Sequence, residues 1–529
     1  VEASAPDRVS SQVRPTPLLV CSRVARQFGR RRVLRDVSFD GYAGEVFGIL
    51  GPNGSGKTTL LGVLSTLAEP SRGSLFYPAA ATLDSPRRII GVLGHEPQLY
   101  GELTARENLE LFGRLADVPD LQGAVQRALQ QARLTDRGDD LVDRFSRGMR
   151  QRLAFERVLL AAPRVLLLDE PFTGLDDESA HRMVARLASL RDNGTLIVLA
   201  THDLLLVESL VDRACIVKGG VLLPLDRTLP LAESYRAAVN ASTTDAVGRA
   251  GSPLGAPKSA GEGGSRPSPD KRTDPDADGR LGQPALPDSS EASLSDIAAA
   301  AWVLLAKDVR IEWRSREGLL TTACFALACV LVFSFGLVRN GTPMPDAGPA
   351  VLWVTVALAG TLAMARTFER ERAAGTLMAV LASPTPRPAI YLGKWGALMV
   401  LMFAVEIVLL PLVALFFQMP LDRRPLLVVG LLAAGTTGYA AIGTLFAAML
   451  ARTRTRDVLL PLLLYPMSVP VIIGGVRGTA AALADPYVPG VVSLWLPLLI
   501  CFDAVFAILA LWTFGTLMTE AAPRVAKEA

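Results

Sequence analysis

Several things are scarce in this chain of 529 residues. Cysteine occurs five times, at Cys21, Cys215, Cys324, Cys329 and Cys501, and never as CxxC. That scatter excludes a metal knuckle and a disulfide framework, and leaves small buried hydrophobes as the reading. Histidine occurs three times, at His95, His181 and His202, all in the first half of the chain. Net charge is only +3, and no basic stripe with interleaved aromatics appears, so nucleic acid is not expected as a partner. Aromatic residues are absent between Tyr235 and Trp302, where Gly, Pro, Ser, Ala and Asp dominate. Such a segment cannot bury enough apolar surface to offset the entropy of ordering it. A disordered linker over residues 239–293 is the expectation, with a regulatory tail as the alternative. The N-terminal VEASAPDRVSSQVRPTP contains no apolar stretch of signal-peptide type. Residues 1–17 are therefore expected to form a disordered tail, and the domain after them to stay in the cytoplasm.

What is abundant is apolar surface: half the residues are hydrophobic and mean hydropathy is +0.33. The average hides two unlike regions. Residues 18–238 read as a soluble α/β domain, whereas 294–529 hold apolar runs long enough to cross a bilayer. Six spans are expected, at about 319–338, 349–365, 395–417, 425–450, 457–476 and 492–518. The fifth contains Pro461, Pro466 and Pro470, tolerable where neighbouring helices cover the freed carbonyls. Before the first span, Trp302, Leu305, Val309 and Trp313 recur near helical period, which predicts an amphipathic helix along the membrane interface. The fold class is thus an α/β P-loop NTPase followed by an all-α polytopic membrane domain of six helices.

Lysine and arginine set the orientation. Lys307, Arg310, Arg314 and Arg316 precede span one; Arg366, Arg370, Arg372, Arg387 and Lys394 separate spans two and three; Arg452, Arg454 and Arg456 separate four and five; Arg524 and Lys527 follow six. Six crossings put all four groups on one side, with Arg423 and Arg424 as the exception. Glu406 and Asp503 fall inside spans, where an ionisable group is costly and marks either a functional site or a partner within the bundle. The run Glu369–Arg372 would cost about 2.5–3.5 kcal/mol per charge in lipid. It is expected outside the bilayer, as a coupling helix from about Phe368 to Ala382, ended by SPTPRP and docked near the His95 loop.

The soluble region carries the chemistry. The apolar run EVFGIL leads into GPNGSGKTT, Gly51–Thr59, and then into a helix-like TTLLGVL. This is GxxxxGK[ST] between strand and helix. Gly51, Pro52, Asn53, Gly54, Ser55, Gly56 and Thr59 form the loop whose backbone N–H groups can close on phosphate oxygens. Lys57 would reach the β- and γ-phosphates and Thr58 would ligate Mg²⁺. A second apolar strand, RVLLLDEP, ends in Asp169 and Glu170. Asp169 is placed to hold Mg²⁺, and Glu170 to orient or deprotonate the attacking water. ATP and Mg²⁺ are the expected cofactors.

The stretch DRFSRGMRQRLAFERVLL, Asp143–Leu160, resembles the signature of ATP-binding cassette (ABC) proteins: Ser146 and Gly148 match, while Arg147 and Met149 depart. The resemblance implies that Ser146 and Gly148 face the P-loop of a second cassette, so that two chains form a homodimer. It further implies that Phe28 stacks on adenine, a core aromatic being the alternative. TGLD, ending at Asp176, resembles the loop across the dimer interface, and His202 in LIVLATHD the histidine that contacts γ-phosphate. Where most relatives have a catalytic-loop glutamine, this chain has GVLGHEPQLYGELTARENL, leaving His95 or Gln98 for that place.

The GH-x-P variant at that loop resembles the CcmA family, the ATPase subunit of cytochrome c maturation. The second half resembles CcmB through KDVRIEWRSREGL, LVFSFGL, FERERAAGTLMAVLASP, LGKW and VEIVLLPLVALFF. The resemblance implies a fusion of two usually separate subunits, a bacterial inner-membrane location with ATPase and both termini cytoplasmic, and CcmC, CcmD and CcmE as partners. Haem is implied as a transported species or indirectly, through release of the haem-loaded chaperone CcmE. The second half has no histidine to ligate haem, leaving Met, Cys or Tyr. An ABC-2 type exporter of a drug, lipid or polysaccharide is the alternative, and a non-transporting ABC ATPase is disfavoured by the six spans.

Overall fold

The structure, a computed structural model, describes residues 16–240, 293–339, 342–451, 453 and 455–520. Most of the expected tail and linker, and Arg452, Arg454, Arg524 and Lys527, lie outside the described residues.

In chain order the first region runs β1 (Leu19–Phe28), β2 (Arg31–Gly41), β3 (Val46–Leu50), α1 (Lys57–Leu64), β4 (Arg72–Phe76) and β5 (Ile90–Leu93). There follow α2 (Ala105–Leu115), α3 (Leu121–Gln131), α4 (Arg147–Leu159), β6 (Val165–Asp169), α5 (Asp177–Asp192) and β7 (Leu196–Ala200). It ends with α6 (Leu204–Val207), β8 (Arg213–Lys218), β9 (Val221–Pro224) and α7 (Leu231–Asn240). Helix α7 includes residues 239 and 240, the first two of the stretch expected as linker. Strands β3, β6 and β7 are buried at every position, as strands covered on both faces must be, which is why they read as unbroken apolar runs. They lie in the parallel order β5-β6-β7-β3-β8, while β4-β1-β2 form an antiparallel group reached through β9. The carboxyl ends of β3, β6 and β7 therefore open at one edge, where ligands gather in such sheets.

The second region begins with α8 (Leu294–Ser315), α9 (Glu317–Gly336), α10 (Gly348–Thr367), α11 (Glu369–Ala373) and α12 (Thr376–Ala382). It continues with α13 (Arg387–Phe417), α14 (Pro425–Leu450), α15 (Arg456–Leu483) and α16 (Pro489–Glu520). Among the described residues, six helices are long and apolar enough to cross a membrane. The central one is α10, the most enclosed of the six. Its Trp353 ring lies against Gly435 of α14 and Gly475 of α15, where a Cβ would approach the ring to 2.2 Å. Only glycine lets the three helices approach so closely. Trp353 Nε1 donates to Thr479 Oγ1 at 3.0 Å, so its one polar atom is satisfied.

Three expectations need correction. The third membrane helix starts at Arg387, eight residues before the expected boundary, because Pro388 suits a first helical turn. The fifth runs on to Leu483 despite its three internal prolines. The single helix expected over Phe368–Ala382 is two, since Gly375 takes φ +65° between them. On α8, the buried positions are Leu304, Lys307 and Ile311. The two tryptophans of the expected stripe point outward, Trp302 at 67% and Trp313 at 74% exposure.

Arg456, the first residue of α15, pairs with Glu369 of α11 at 3.0 Å, so the start of α15 and the connection between α10 and α13 share the end that faces the sheet domain. Arg423 and Arg424 instead donate to Leu483 O and Ala482 O. They satisfy carbonyls left open at the C-terminus of α15, at the far end of the bundle.

Candidate functional site

The loop after β3 is built by glycine conformation. Gly51, Gly54 and Gly56 have φ of 148°, 76° and 112°, and a Cβ on Gly51 would stand 2.8 Å from Ser55 Oγ. Gly56 opens α1 with no side-chain cap, so no side chain competes for the first N–H groups of the helix. Lys57 is buried and folds back over the loop, donating to Gly51 O at 2.7 Å and Pro52 O at 3.3 Å. Val33 and Leu34 of β2 pack against Gly56. The same hairpin ends in Phe28, half-buried, with the Arg26 guanidinium 4.9 Å over its ring.

Thr58 Oγ1 donates to Asp169 Oδ2 at 2.7 Å across 111 residues of sequence. Burial pushes the Asp169 carboxyl above its ordinary range, and the Glu170 charge adds to that. The Thr58 hydrogen bond, His95 and Lys57 pull the other way. Glu170 follows with φ +51°, a conformation that few residues other than glycine adopt. Its N–H donates to Ala200 O at 2.8 Å, which locks the turn against β7. Its carboxylate accepts from Thr201 Oγ1 at 3.2 Å and the His202 backbone N–H at 3.3 Å, and lies 2.8 Å from His202 Nδ1. The His202 ring is 72% exposed and Glu170 only 11%. A carboxylate is thus held in place from behind by a ring that itself faces the open edge.

The structure separates His95 from Gln98. His95 is exposed and near enough to Asp169 to favour its ionised form. Gln98 has φ +54° and turns away, its Oε1 3.4 Å from the buried Arg157 guanidinium. Glu96 and Gln98 lie against Gly375, with 3.1 and 3.7 Å between their nearest atoms and a Cβ built there. One face of the loop looks to the carboxylates and the other to the helical region.

Ser146 caps α4 by accepting from Met149 N–H at 3.3 Å, and Gly148 lies against Gly174 O. Asp176 caps α5, accepting from Ser179 N–H at 2.7 Å, and hydrogen bonds from Ser179 hold its carboxyl below the usual range. The described contacts of Ser146, Gly148 and Asp176 join the α4 and α5 ends to each other and do not reach the loop of their own chain.

Residues that sequence reasoning missed meet where the two regions join. Tyr100, Lys307, Asp308, Glu371 and Lys394 form one buried polar group. In the sequence the two lysines read only as orienting charges. The available signal was Asp308 next to Lys307, and Glu371 inside an alternating ERER.

Residues 34–173 match the family model described as ABC transporter, and residues 299–519 match that described as CcmB protein. Similar proteins include a Nod factor export ATP-binding protein I of Rhizobium meliloti, 36% identical over 212 residues, 39% of this chain and 63% of that one. Another, of Burkholderia lata, is 38% identical over 202 residues, 37% of this chain and 66% of that one. The chain therefore spans less than two thirds of the length of these relatives. Among solved structures, an ATP binding subunit of an ABC transporter is 28% identical with a TM-score of 0.40, covering 42% of this chain and 100% of that one.

Proposed function

From the premise that this chain joins an ABC transporter domain to a CcmB domain, we propose that it is an ATP-driven membrane machine of cytochrome c biogenesis. Residues 18–238 are its cassette and 294–529 its membrane domain. The Gly51–Thr59 loop cradles the phosphates, Lys57 neutralises them, and Phe28 stacks on adenine. Glu170, held by Thr201 and His202, receives the proton of the attacking water. Thr58 and Asp169 present hard oxygen donors suited to Mg²⁺, which would add charge stabilisation at the phosphates. His95 takes the place beside Asp169 that glutamine holds in most cassettes.

The described contacts of Ser146, Gly148 and Asp176 lie at the starts of α4 and α5 and not at their own phosphate loop, which supports a homodimer in which they close the partner's site. The cassette and both ends of the chain lie on the cytoplasmic side of a bacterial inner membrane, with CcmC, CcmD and CcmE as partners. The observation that carries the reading is the CcmB match over residues 299–519. With no histidine in that half, release of haem-loaded CcmE fits the residues better than passage of haem through the bundle. Deleting the gene and staining cells for c-type cytochromes tests this: loss is expected, and intact cytochromes would overturn it. A second reading, export of another substrate, is favoured by the cassette's likeness to Nod factor export ATP-binding proteins; it predicts intact cytochromes.

A further inference from the structure

Glu371 stands where the two halves meet, and its neighbours come from separate elements. Its Oε1 lies 2.7 Å from Lys307 Nζ and 2.8 Å from Lys394 Nζ, and accepts from Tyr100 OH at 3.1 Å. Asp308 completes the group, 2.8 Å from Lys307 and 3.0 Å from Lys394. Two ammonium groups and two carboxylates sum to zero, and Lys307, Glu371 and Lys394 are 2, 4 and 4% exposed. A buried charge group of this kind holds together only while every partner is present.

All four charges belong to the membrane half, on α8, α11 and α13, so the block ties those helices to one another. Among the described residues, the cassette's polar side chain in this group is Tyr100. Burial, and the Glu371 charge after it, push the phenol up, so its hydroxyl remains a donor. Lys307 Nζ also lies 4.3 Å over the Tyr100 ring and 3.2 Å from its hydroxyl. Tyr100 itself is rigidly mounted. Its N–H donates to Asn108 Oδ1 and its carbonyl accepts from Asn108 Nδ2, both at 2.9 Å, and Asn108 is fully buried in α2. Five residues upstream in the same loop is His95, whose charge favours the ionised form of Asp169. Glu371 Oε2 has no hydrogen-bond partner among the described residues, which leaves the carboxylate free to exchange one donor for another.

We propose that Tyr100 is the positioning residue through which the membrane half reads the nucleotide loop, its hydroxyl gripping a charge-neutral block that makes α8, α11 and α13 one lever. The proposal rests on the cassette being an ATPase and not on any substrate. A second contact serves the same lever from outside: Arg314 of α8 pairs with Glu107 of α2, and Arg310 reaches the same carboxylate at 3.3 Å. Glu107 also accepts from Thr104 N–H in a capping box, so α8 is fastened to the helix start that carries Tyr100's anchor.

All six tryptophans lie at or beyond Trp302, so tryptophan emission reports the membrane half alone. The full chain in phospholipid nanodiscs, in a Glu170→Gln background, is expected to change its emission on adding MgATP. Adding Tyr100→Phe, which keeps the ring, should shrink that change about fivefold or more. In the native background Tyr100→Phe should hydrolyse ATP within about twofold of the parent. An undiminished emission change in Tyr100→Phe would overturn the proposal. So would joint loss of hydrolysis and emission change, since Tyr100 would then only hold the cassette together, and so would a parent whose emission ignores nucleotide. None of these results depends on cytochromes, so failure here and failure of the biogenesis reading are distinguishable.

Discussion

The phosphate-loop edge and the junction of the two halves both bury charge, but they neutralise it differently. At the edge, Asp169 and Glu170 are adjacent carboxylates whose cationic neighbours are few: Lys57 is turned to loop carbonyls and His202 is mostly exposed. At the junction, two carboxylates and two lysines cancel within 3 Å contacts. Charge left short of partners is a capacity to bind and react. A sealed, cancelled group offers no such capacity and acts as a brace. On the proposed function, chemistry falls to the edge and, on the further proposal, transmission to the junction.

The sharpest break of this contrast is at the edge. Lys57→Ala and Glu170→Gln should each lower steady-state ATP hydrolysis by about 10²–10⁴-fold or more, while Glu170→Gln still retains ATP on filters. Normal phosphate release from either variant would move the chemistry elsewhere. At the junction, Glu371→Gln leaves two buried ammonium groups facing one carboxylate and should destabilise the docked chain by about 3–5 kcal/mol. Thermal unfolding of the full chain reads this, and adding Lys394→Met should recover part of the loss, since the imbalance is what costs. Equal additivity of the two changes would show that the four charges are not one group.

A carboxylate with no brace supplies the next test. Burial pushes the Glu156 carboxyl of α4 up to about 7 from an ordinary 4.5, with Arg186 pulling it down. The folded cassette therefore keeps a proton that the unfolded chain loses, and its stability falls as pH rises between about 4.5 and 7. Glu156→Gln should remove that loss, on the order of 2 kcal/mol, and flatten the melting temperature between pH 5 and 8. A variant that melts with the parent's pH slope would locate the titration in another group. The smallest effect belongs to the half-exposed Glu107–Arg314 pair. Its coupling in a double-mutant cycle should be about 0.2–1 kcal/mol and should fade between 0.1 and 1 M salt, whereas the junction's buried group should not respond.

Legibility in the sequence followed the same contrast. The candidate residues of the sheet domain sit at strand ends in short linear patterns, because a parallel sheet delivers such loops to one edge. Gly51–Thr59, Asp169, Glu170 and His202 were therefore readable from spacing, and the structure brings Thr58 to Asp169 and Glu170 to His202. The choice between His95 and Gln98 was not readable, since it depends on the positive φ at Gln98 that turns its side chain to Arg157. In the membrane half, apolar length revealed six spans but not which small residues seat Trp353. The Tyr100–Glu371 contact joins positions 271 residues apart, and no local pattern encodes such a pair. The break at Gly375 was missed because the helical pattern continues on both sides of it.

The most direct measurement is complementation of a deletion strain with the Glu170→Gln chain, reading c-type cytochromes and haem-loaded CcmE together. The account predicts that the wild-type chain restores the cytochromes, and that Glu170→Gln leaves them absent while haem-loaded CcmE persists. Cytochromes restored by Glu170→Gln would contradict it.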